Sequence, residues 1–140
     1  MTTRDKTKRI KVGGVAIGGG APVSVQSMCC TKTQDVDATL RQISALAAAC
    51  CDIVRLAVPD MDAARAISAI KERSSLPIVA DIHFDHKLAI EAARRGADKI
   101  RINPGNIGGP ENVAKVAREC SLHNIPISCL LYTSDAADEL

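Results

Sequence analysis

The chain has almost no aromatic side chains. Its 140 residues include one Phe, one Tyr and no Trp. Proteins that bind single-stranded nucleic acid stack the bases on aromatic rings, and the formal net charge of this chain is only +2. The composition therefore argues against a nucleic-acid partner.

Long hydrophobic runs are also missing. No apolar segment approaches the roughly 20 residues that a membrane helix needs. The first residues are basic, but no apolar signal-peptide segment follows them. We therefore expect a cytoplasmic protein without a membrane partner, and we interpret residues 1–9 as a basic, flexible N-terminus.

Cysteine is present, but not in the C-x-x-C spacing of metal or redox motifs. The six cysteines are Cys29, Cys30, Cys50, Cys51, Cys120 and Cys129. In a reducing compartment such residues are small buried or half-buried thiols. The sequence therefore predicts no metal site within this chain.

What the sequence does contain is an alternation of β-prone and amphipathic segments. Two β-prone arms around Gly13-Gly14 predict a hairpin over residues 10–17. After it, strands are predicted to begin near Val23, Ile53, Pro77, Lys99 and Pro126, at roughly the ~30-residue spacing of βα units. This alternation predicts an α/β fold with a parallel sheet, and both a doubly wound sheet and a (β/α)8 barrel fit it.

The positions of polar residues favour the barrel. Five polar side chains lie toward or just after the C-terminal ends of the predicted strands: Arg55, Asp81, His83, Arg101 and Asn103. In a barrel this end carries the active site. We therefore predict that residues 10–127 form part of a (β/α)8 TIM barrel, with about four βα units after the hairpin.

Arg55 and Arg101 are each flanked by apolar strand residues. A buried arginine is costly unless an anion compensates it, and its planar guanidinium suits phosphate or carboxylate. Two arginines in the predicted strands therefore indicate an anion site. An internal ion pair of either arginine with Asp81 is the alternative.

Asp81 and His83 are two residues apart, which places them on the same face of a strand. This pair could transfer protons, bind a metal or bind a hydroxyl-bearing substrate, or His83 could be structural. Asn103 ends its strand, and Pro104-Gly105 turns the chain toward the next helix. Backbone amides in such a turn suit phosphate oxygens, although a plain βα turn has the same composition.

Four motifs in this order and spacing resemble the N-terminal barrel of the 4-hydroxy-3-methylbut-2-en-1-yl diphosphate synthase family. They are "VQSM", "DIVRLAVP", "VADIHFD" and "RINPGNIG", and the similarity extends from about Arg9 to Ile127. The resemblance implies an iron-sulfur oxidoreductase that opens 2-C-methyl-D-erythritol 2,4-cyclodiphosphate in the non-mevalonate isoprenoid pathway.

The resemblance also implies roles for the five polar residues. Arg55, Arg101 and Asn103 would bind the diphosphate, and Asp81 and His83 would line the same pocket. It further implies a [4Fe-4S] cluster, flavodoxin or ferredoxin as electron donor and a homodimeric parent enzyme. No catalytic residue is assigned within the chain.

The chain departs from the family pattern near its end. Residues 128–140 do not follow the family's fifth strand, and we interpret them as an artefactual tail on a truncated gene. The C-terminal iron-sulfur domain, which holds the cluster ligands in the family, is expected to be absent, so this chain alone should be inactive. Two alternatives remain: another barrel enzyme for a phosphorylated substrate, similar to pterin-binding synthases, and a small non-catalytic binding module.

Overall fold

The computed structural model describes residues 3–129. A short 3-10 helix, Thr3–Lys6, lies in the segment predicted to be a flexible N-terminus. The strands are β1 (Ile10–Val12), β2 (Val15–Ile17), β3 (Gln26–Met28), β4 (Ile53–Ala57), β5 (Ile78–Ile82), β6 (Lys99–Ile102) and β7 (Ile127–Cys129). The helices are α1 (Val36–Ala48), α2 (Met61–Arg73), α3 (His86–Arg94) and α4 (Pro110–Leu122).

Strands β3 to β7 form one parallel sheet in sequential order, and a helix follows each of β3 to β6. The structure therefore has the predicted four βα units and a fifth strand. Of the segment predicted as a tail, Ser128 and Cys129 belong to β7, and the rest lies outside the described residues. Among residues 3–129, no helix is long and apolar enough to cross a membrane.

The first parallel strand is shorter than predicted. Strand pairing begins at Gln26 rather than at Val23. The backbone N–H of Val25 donates instead to the carboxylate of Asp52 at 2.8 Å, and Val23 and Val25 remain exposed. The carbonyl of Val25 accepts hydrogen bonds from the backbone amides of Asp52 and Ile53, so this segment is tied to the start of β4 without extending the strand.

The predicted hairpin is present as β1 and β2, which pair around Gly13-Gly14. Val12 of this hairpin is fully buried and packs with Ile53 of β4 and Val79 of β5. Ile53 and Val79 alternate along their strands with residues that face the helices. They therefore point to the opposite face of the sheet, which we call the inner face. The hairpin thus covers the N-terminal part of the inner face with apolar side chains.

The helices begin where short acidic side chains cap them. Asp35, Asp60 and Asp85 accept hydrogen bonds from first-turn amides of α1, α2 and α3. These caps satisfy amides that have no partner within the helix. They also fix the points at which α1, α2 and α3 begin.

The core lies between the helices and the outer face of the sheet. Strand residues and small helical residues, many of them alanines, form one cluster of buried side chains. The sheet contributes Val54, Leu56, Ile78, Ala80, Ile82, Ile100 and Ile102. Since side chains alternate along a strand, the residues between these positions point to the inner face.

Candidate functional site

The inner face of the sheet carries charged side chains in two adjacent layers. Strand register aligns Arg55 of β4 with Val79 of β5 and Lys99 of β6. One step further toward the C-terminal ends, Asp81 of β5 aligns with Arg101 of β6. The first layer lies at mid-strand, where Val79 also contacts the buried hairpin residue Val12, and the second layer lies nearer the end of the sheet from which the βα loops leave.

Asp81 is the centre of this cluster, and its side chain is only 2% exposed. Its Oδ1 accepts a hydrogen bond from Arg101 Nη1 at 2.7 Å. Its Oδ2 lies 3.4 Å from Arg55 Nε. Asp81 therefore bridges two arginines from neighbouring strands, and their charges offset the cost of burying its carboxylate.

The guanidinium of Arg55 is incompletely satisfied. Its Nε is buried and has no hydrogen-bond partner, because the contact with Asp81 is an ion pair without hydrogen-bond geometry. Its Nη2 donates to the sulfur of Met28 at 3.4 Å, and a thioether is a weak acceptor. The side chain is 27% exposed, so its remaining N–H groups are accessible to a ligand.

Lys99 adds a third cation to the inner face. It is half-buried and makes no hydrogen bond or ion pair with any residue that the structure describes. Burial, together with the nearby charges of Arg101 and Arg55, lowers the pKa of its ammonium group from the usual 10.5. The cluster therefore contains three cations and one carboxylate, a net charge of +2 with His83 neutral.

His83 and Asn103 lie at the rim of the cluster. His83 is 53% exposed, and its Nε2 is 3.7 Å from Asp81 Oδ2. Asn103 Oδ1 accepts a hydrogen bond from the backbone N–H of Gly105 at 3.0 Å. This bond fixes the turn after β6, while the amide N–H groups of Asn103 have no partner among residues 3–129.

The loop after β6 differs from the other βα loops. Helix α4 begins after Gly109, which provides no side-chain cap. Gly108 and Gly109 both have positive φ angles of 95° and 97°. A Cβ on Gly108 would also approach Asn112 Nδ2 to 2.5 Å. Glycine is thus required here, and the first amides of α4 remain without a side-chain acceptor, as is typical of helix ends that bind anions.

The structure brings four of the five predicted residues together, because Arg55, His83 and Arg101 all lie within 3.7 Å of Asp81. Asn103 lies in the loop after β6 and contacts Gly105. The internal ion pair that was the alternative for Arg55 and Arg101 is present for both. It does not balance the cluster, however, because one carboxylate faces three cations. Lys99 and Met28 were not predicted as site residues, although the alternation of Lys99 with Arg101 was the available signal.

The thiols take no part in this cluster. All six cysteines are free. Burial raises the pKa of Cys29 and Cys120 to about 11, so both remain protonated near neutral pH. In the described part of the chain no group of three or more His, Cys, Asp or Glu residues could hold a metal ion. These residues therefore do not fit an iron-sulfur cluster.

Curated proteins similar to this chain share one name. A 4-hydroxy-3-methylbut-2-en-1-yl diphosphate synthase (flavodoxin) from Caldicellulosiruptor saccharolyticus is 58% identical over 121 residues, which cover 86% of this chain and 35% of the relative. The protein of that name from Sulfurimonas denitrificans is 58% identical over 127 residues, 91% of this chain and 36% of the relative. The chain thus spans about a third of the length of these relatives.

A solved structure supports the fold alone. The crystal structure of a phospho-2-dehydro-3-deoxyheptonate aldolase from Thermotoga maritima superposes with a TM-score of 0.61 at 14% identity, over 90% of this chain and 38% of that one. The sequence profile of the GcpE TIM-barrel domain matches residues 7–129. The partial barrel predicted from the sequence is therefore confirmed, and the chain belongs to the GcpE TIM-barrel domain family.

Proposed function

We propose that this chain forms the diphosphate-binding part of a synthase that reductively opens 2-C-methyl-D-erythritol 2,4-cyclodiphosphate to 4-hydroxy-3-methylbut-2-enyl diphosphate. One observation carries the proposal. The inner face of the sheet holds Arg55, whose buried Nε lacks a hydrogen-bond partner, within a cluster of net charge +2. An incoming anion would bind the exposed part of the Arg55 guanidinium and offset the excess positive charge.

The charge of the substrate suits this cluster. A cyclic diphosphate diester carries one negative charge on each phosphorus at neutral pH, and arginine binds phosphate oxygens through paired N–H groups. Arg55 and Arg101 would bind the diphosphate, while Asp81 keeps both guanidinium groups in place through the contacts of 2.7 and 3.4 Å. The amide of Asn103 and the uncapped start of α4 would provide further donors.

Asp81 and His83 would lie beside the carbon skeleton of the bound substrate. Fixing the diphosphate at one end holds the rest of the molecule in a defined position, which lowers the entropic cost of reaction. His83 is the more exposed of the two and could exchange a proton with a hydroxyl group. No catalytic residue is assigned among these side chains.

The reduction requires electrons that the described residues do not store. In the proposed whole enzyme, a [4Fe-4S] cluster supplies them, and its ligands would lie outside this chain. Flavodoxin, which the relatives' name includes, or ferredoxin would reduce the cluster. The whole enzyme would act in the non-mevalonate isoprenoid pathway as a homodimer, and we place it in the cytoplasm.

A chimaeric enzyme tests this proposal. Residues 10–127 would replace the matching segment of the Caldicellulosiruptor saccharolyticus synthase, and turnover of the cyclic diphosphate would be measured with reduced flavodoxin. We expect an active chimaera, and we expect Arg101→Ala to raise KM at least tenfold while iron content stays unchanged. Lys115→Ala, on the exposed face of α4, is the matched control and should leave KM unchanged.

Two results would contradict the proposal. The first is a folded, iron-loaded chimaera that does not convert the cyclic diphosphate. The second is an Arg101→Ala chimaera that retains the KM of the unmodified chimaera.

A further inference from the structure

Lys99 has a position that the proposed substrate contacts do not use. It is the first residue of β6 and lies two residues before Arg101 on the same face of the strand. Its aligned neighbours are Val79 on β5 and, one strand further, Arg55 on β4. Lys99 and Arg55 thus stand in one layer on either side of a valine, directly below the layer of Asp81 and Arg101.

No acidic side chain in the described residues balances Lys99. Asp81 directs one oxygen to Arg101 and the other toward Arg55. The adjacent Asp98 is also engaged, because its Oδ2 accepts hydrogen bonds from Lys71 Nζ at 2.6 Å and from the Ile78 amide at 2.8 Å. A half-buried ammonium group without a counter-ion costs free energy.

Lys99 has an apolar neighbour in its own layer. Val79, which separates Lys99 from Arg55, is buried together with Val12 of the hairpin and Ile53 of β4, and none of these three side chains offers an acceptor. Burial and the positive charges of Arg101 and Arg55 already lower the pKa of Lys99. An anion bound by the two arginines would raise the pKa of Lys99, because negative charge favours the protonated ammonium group.

We propose that Lys99 is a third cation of the diphosphate site, contributing to affinity from the layer below the arginine pair. The inference rests on the proposed function, because it requires a diphosphate between Arg55 and Arg101. The three cations and the one carboxylate of Asp81 have a net charge of +2. This charge matches the two negative charges of the diphosphate group of the proposed substrate. Lysine serves here as a point charge and requires no particular bidentate geometry.

Binding of inorganic pyrophosphate to the 140-residue chain tests this inference. Calorimetry at low ionic strength would compare the unmodified chain with Lys99→Met and Lys99→Arg. We expect Lys99→Met to weaken binding about tenfold or more, since one of the three cations that attract the diphosphate is lost. Lys99→Arg keeps the charge and should stay within about threefold of the unmodified chain. Lys115→Met, an exposed lysine on α4, should bind unchanged.

A second readout follows Lys99 itself. In a chain labelled with 13C-lysine, the ε-carbon resonance of Lys99 should move during the pyrophosphate titration, whereas that of Lys115 should not. If Lys99 had only a structural role, its variants would differ in stability, but its resonance in the unmodified chain would not move when pyrophosphate is added. The unmodified chain provides this readout, so it does not depend on the folding of any variant.

The outcomes separate the two proposals. If the unmodified chain binds pyrophosphate and Arg101→Ala abolishes binding, but Lys99→Met binds normally and its resonance in the unmodified chain stays fixed, the role of Lys99 is wrong and the diphosphate site stands. If the unmodified chain and Arg101→Ala are alike in not binding pyrophosphate, the diphosphate site is wrong and the inference about Lys99 fails with it.

Discussion

The two faces of strands β4 to β6 are built from alternating residues of the same segments, yet they differ in charge and closure. The outer face presents Val54, Leu56, Ile100 and Ile102, all nearly or fully buried against the helices. The inner face presents three cations around Asp81. The outer face is complete within the described residues, whereas the inner face retains positive charge and unpaired donors.

This difference separates stability from binding. Burial of aliphatic side chains on the outer face contributes about 1.5–3 kcal/mol for each large residue. The inner face contributes less, because its three cations share one carboxylate and repel one another. A site that is unfavourable when empty gains more free energy from a ligand of opposite charge, so we interpret the imbalance as a feature of the site.

The largest effect on stability should come from the outer face. Ile100→Ala removes a fully buried side chain and should lower the free energy of unfolding by about 4 kcal/mol, measured by urea denaturation. Pyrophosphate affinity per folded molecule should not change. Leu122→Ala is the control, because Leu122 is 71% exposed. Equal losses in both variants would show that the outer face is not a packed core.

The next effect should come from the carboxylate of the inner face. Asp81→Asn leaves two arginines without their counter-charge and should lower the free energy of unfolding by about 3 kcal/mol. Pyrophosphate should recover part of this loss, since it replaces the missing negative charge. Asp62→Asn, exposed on α2, is the control. A stable Asp81→Asn variant would mean that the ion pairs do not hold the cluster together.

A smaller effect of opposite sign is expected at Lys99. Because burial and like charges lower its pKa from 10.5 in the folded chain, the charged lysine destabilises the fold at neutral pH. Lys99→Met should therefore stabilise the chain by about 1 kcal/mol near pH 7. Melting curves of both proteins would measure the difference.

The difference in stability between Lys99→Met and the unmodified chain should depend on pH. Below the folded-state pKa of Lys99 the penalty is fully present, and it disappears as the pH rises toward 10.5. The advantage of Lys99→Met should shrink over that window. The charged groups that act on Lys99 are Arg101 and Arg55. A constant difference across the window would contradict the predicted titration.

The smallest effect should come from the helix surface. Arg94 and His123 both contact Glu119, with Arg94 Nε at 2.7 Å from Oε1, and the hydrogen bond with Arg94 is the main cause that lowers the pKa of Glu119 from 4.5. This contribution is present above pH 4.5 and is lost as the pH falls through the lowered pKa. Glu119→Gln should lower the melting temperature at pH 7 by at most a few degrees. A larger loss would contradict the view that surface pairs add little.

The sequence predicted the βα units because local signals agreed with the tertiary structure. Strands were predicted to begin near Ile53, Pro77 and Lys99, and β4, β5 and β6 begin at Ile53, Ile78 and Lys99. Strand β3 was predicted too long, because Val23 and Val25 favour β-structure but remain exposed, and the backbone N–H of Val25 donates to the Asp52 carboxylate. A contact between residues 27 positions apart leaves no local signal.

The sequence predicted which polar residues form the candidate site, but it did not predict how their charges pair. Alternation placed Arg101 and Asn103 on one face, and the possible pairing of either arginine with Asp81 was evident. That Asp81 contacts both arginines, and that Lys99 lies in the layer of Arg55, depends on the register of three strands. Register is set by packing across the sheet, which a single sequence does not reveal.

Backbone amide NMR during a pyrophosphate titration would show where on the sheet the ligand binds. We predict that the largest chemical-shift changes occur at the C-terminal ends of β4 to β6 and in the loop from Asn103 to Gly109, with helix surfaces unaffected. Saturable changes in that region would support a diphosphate site on the inner face. Changes confined to the hairpin or to the outer helices would contradict it.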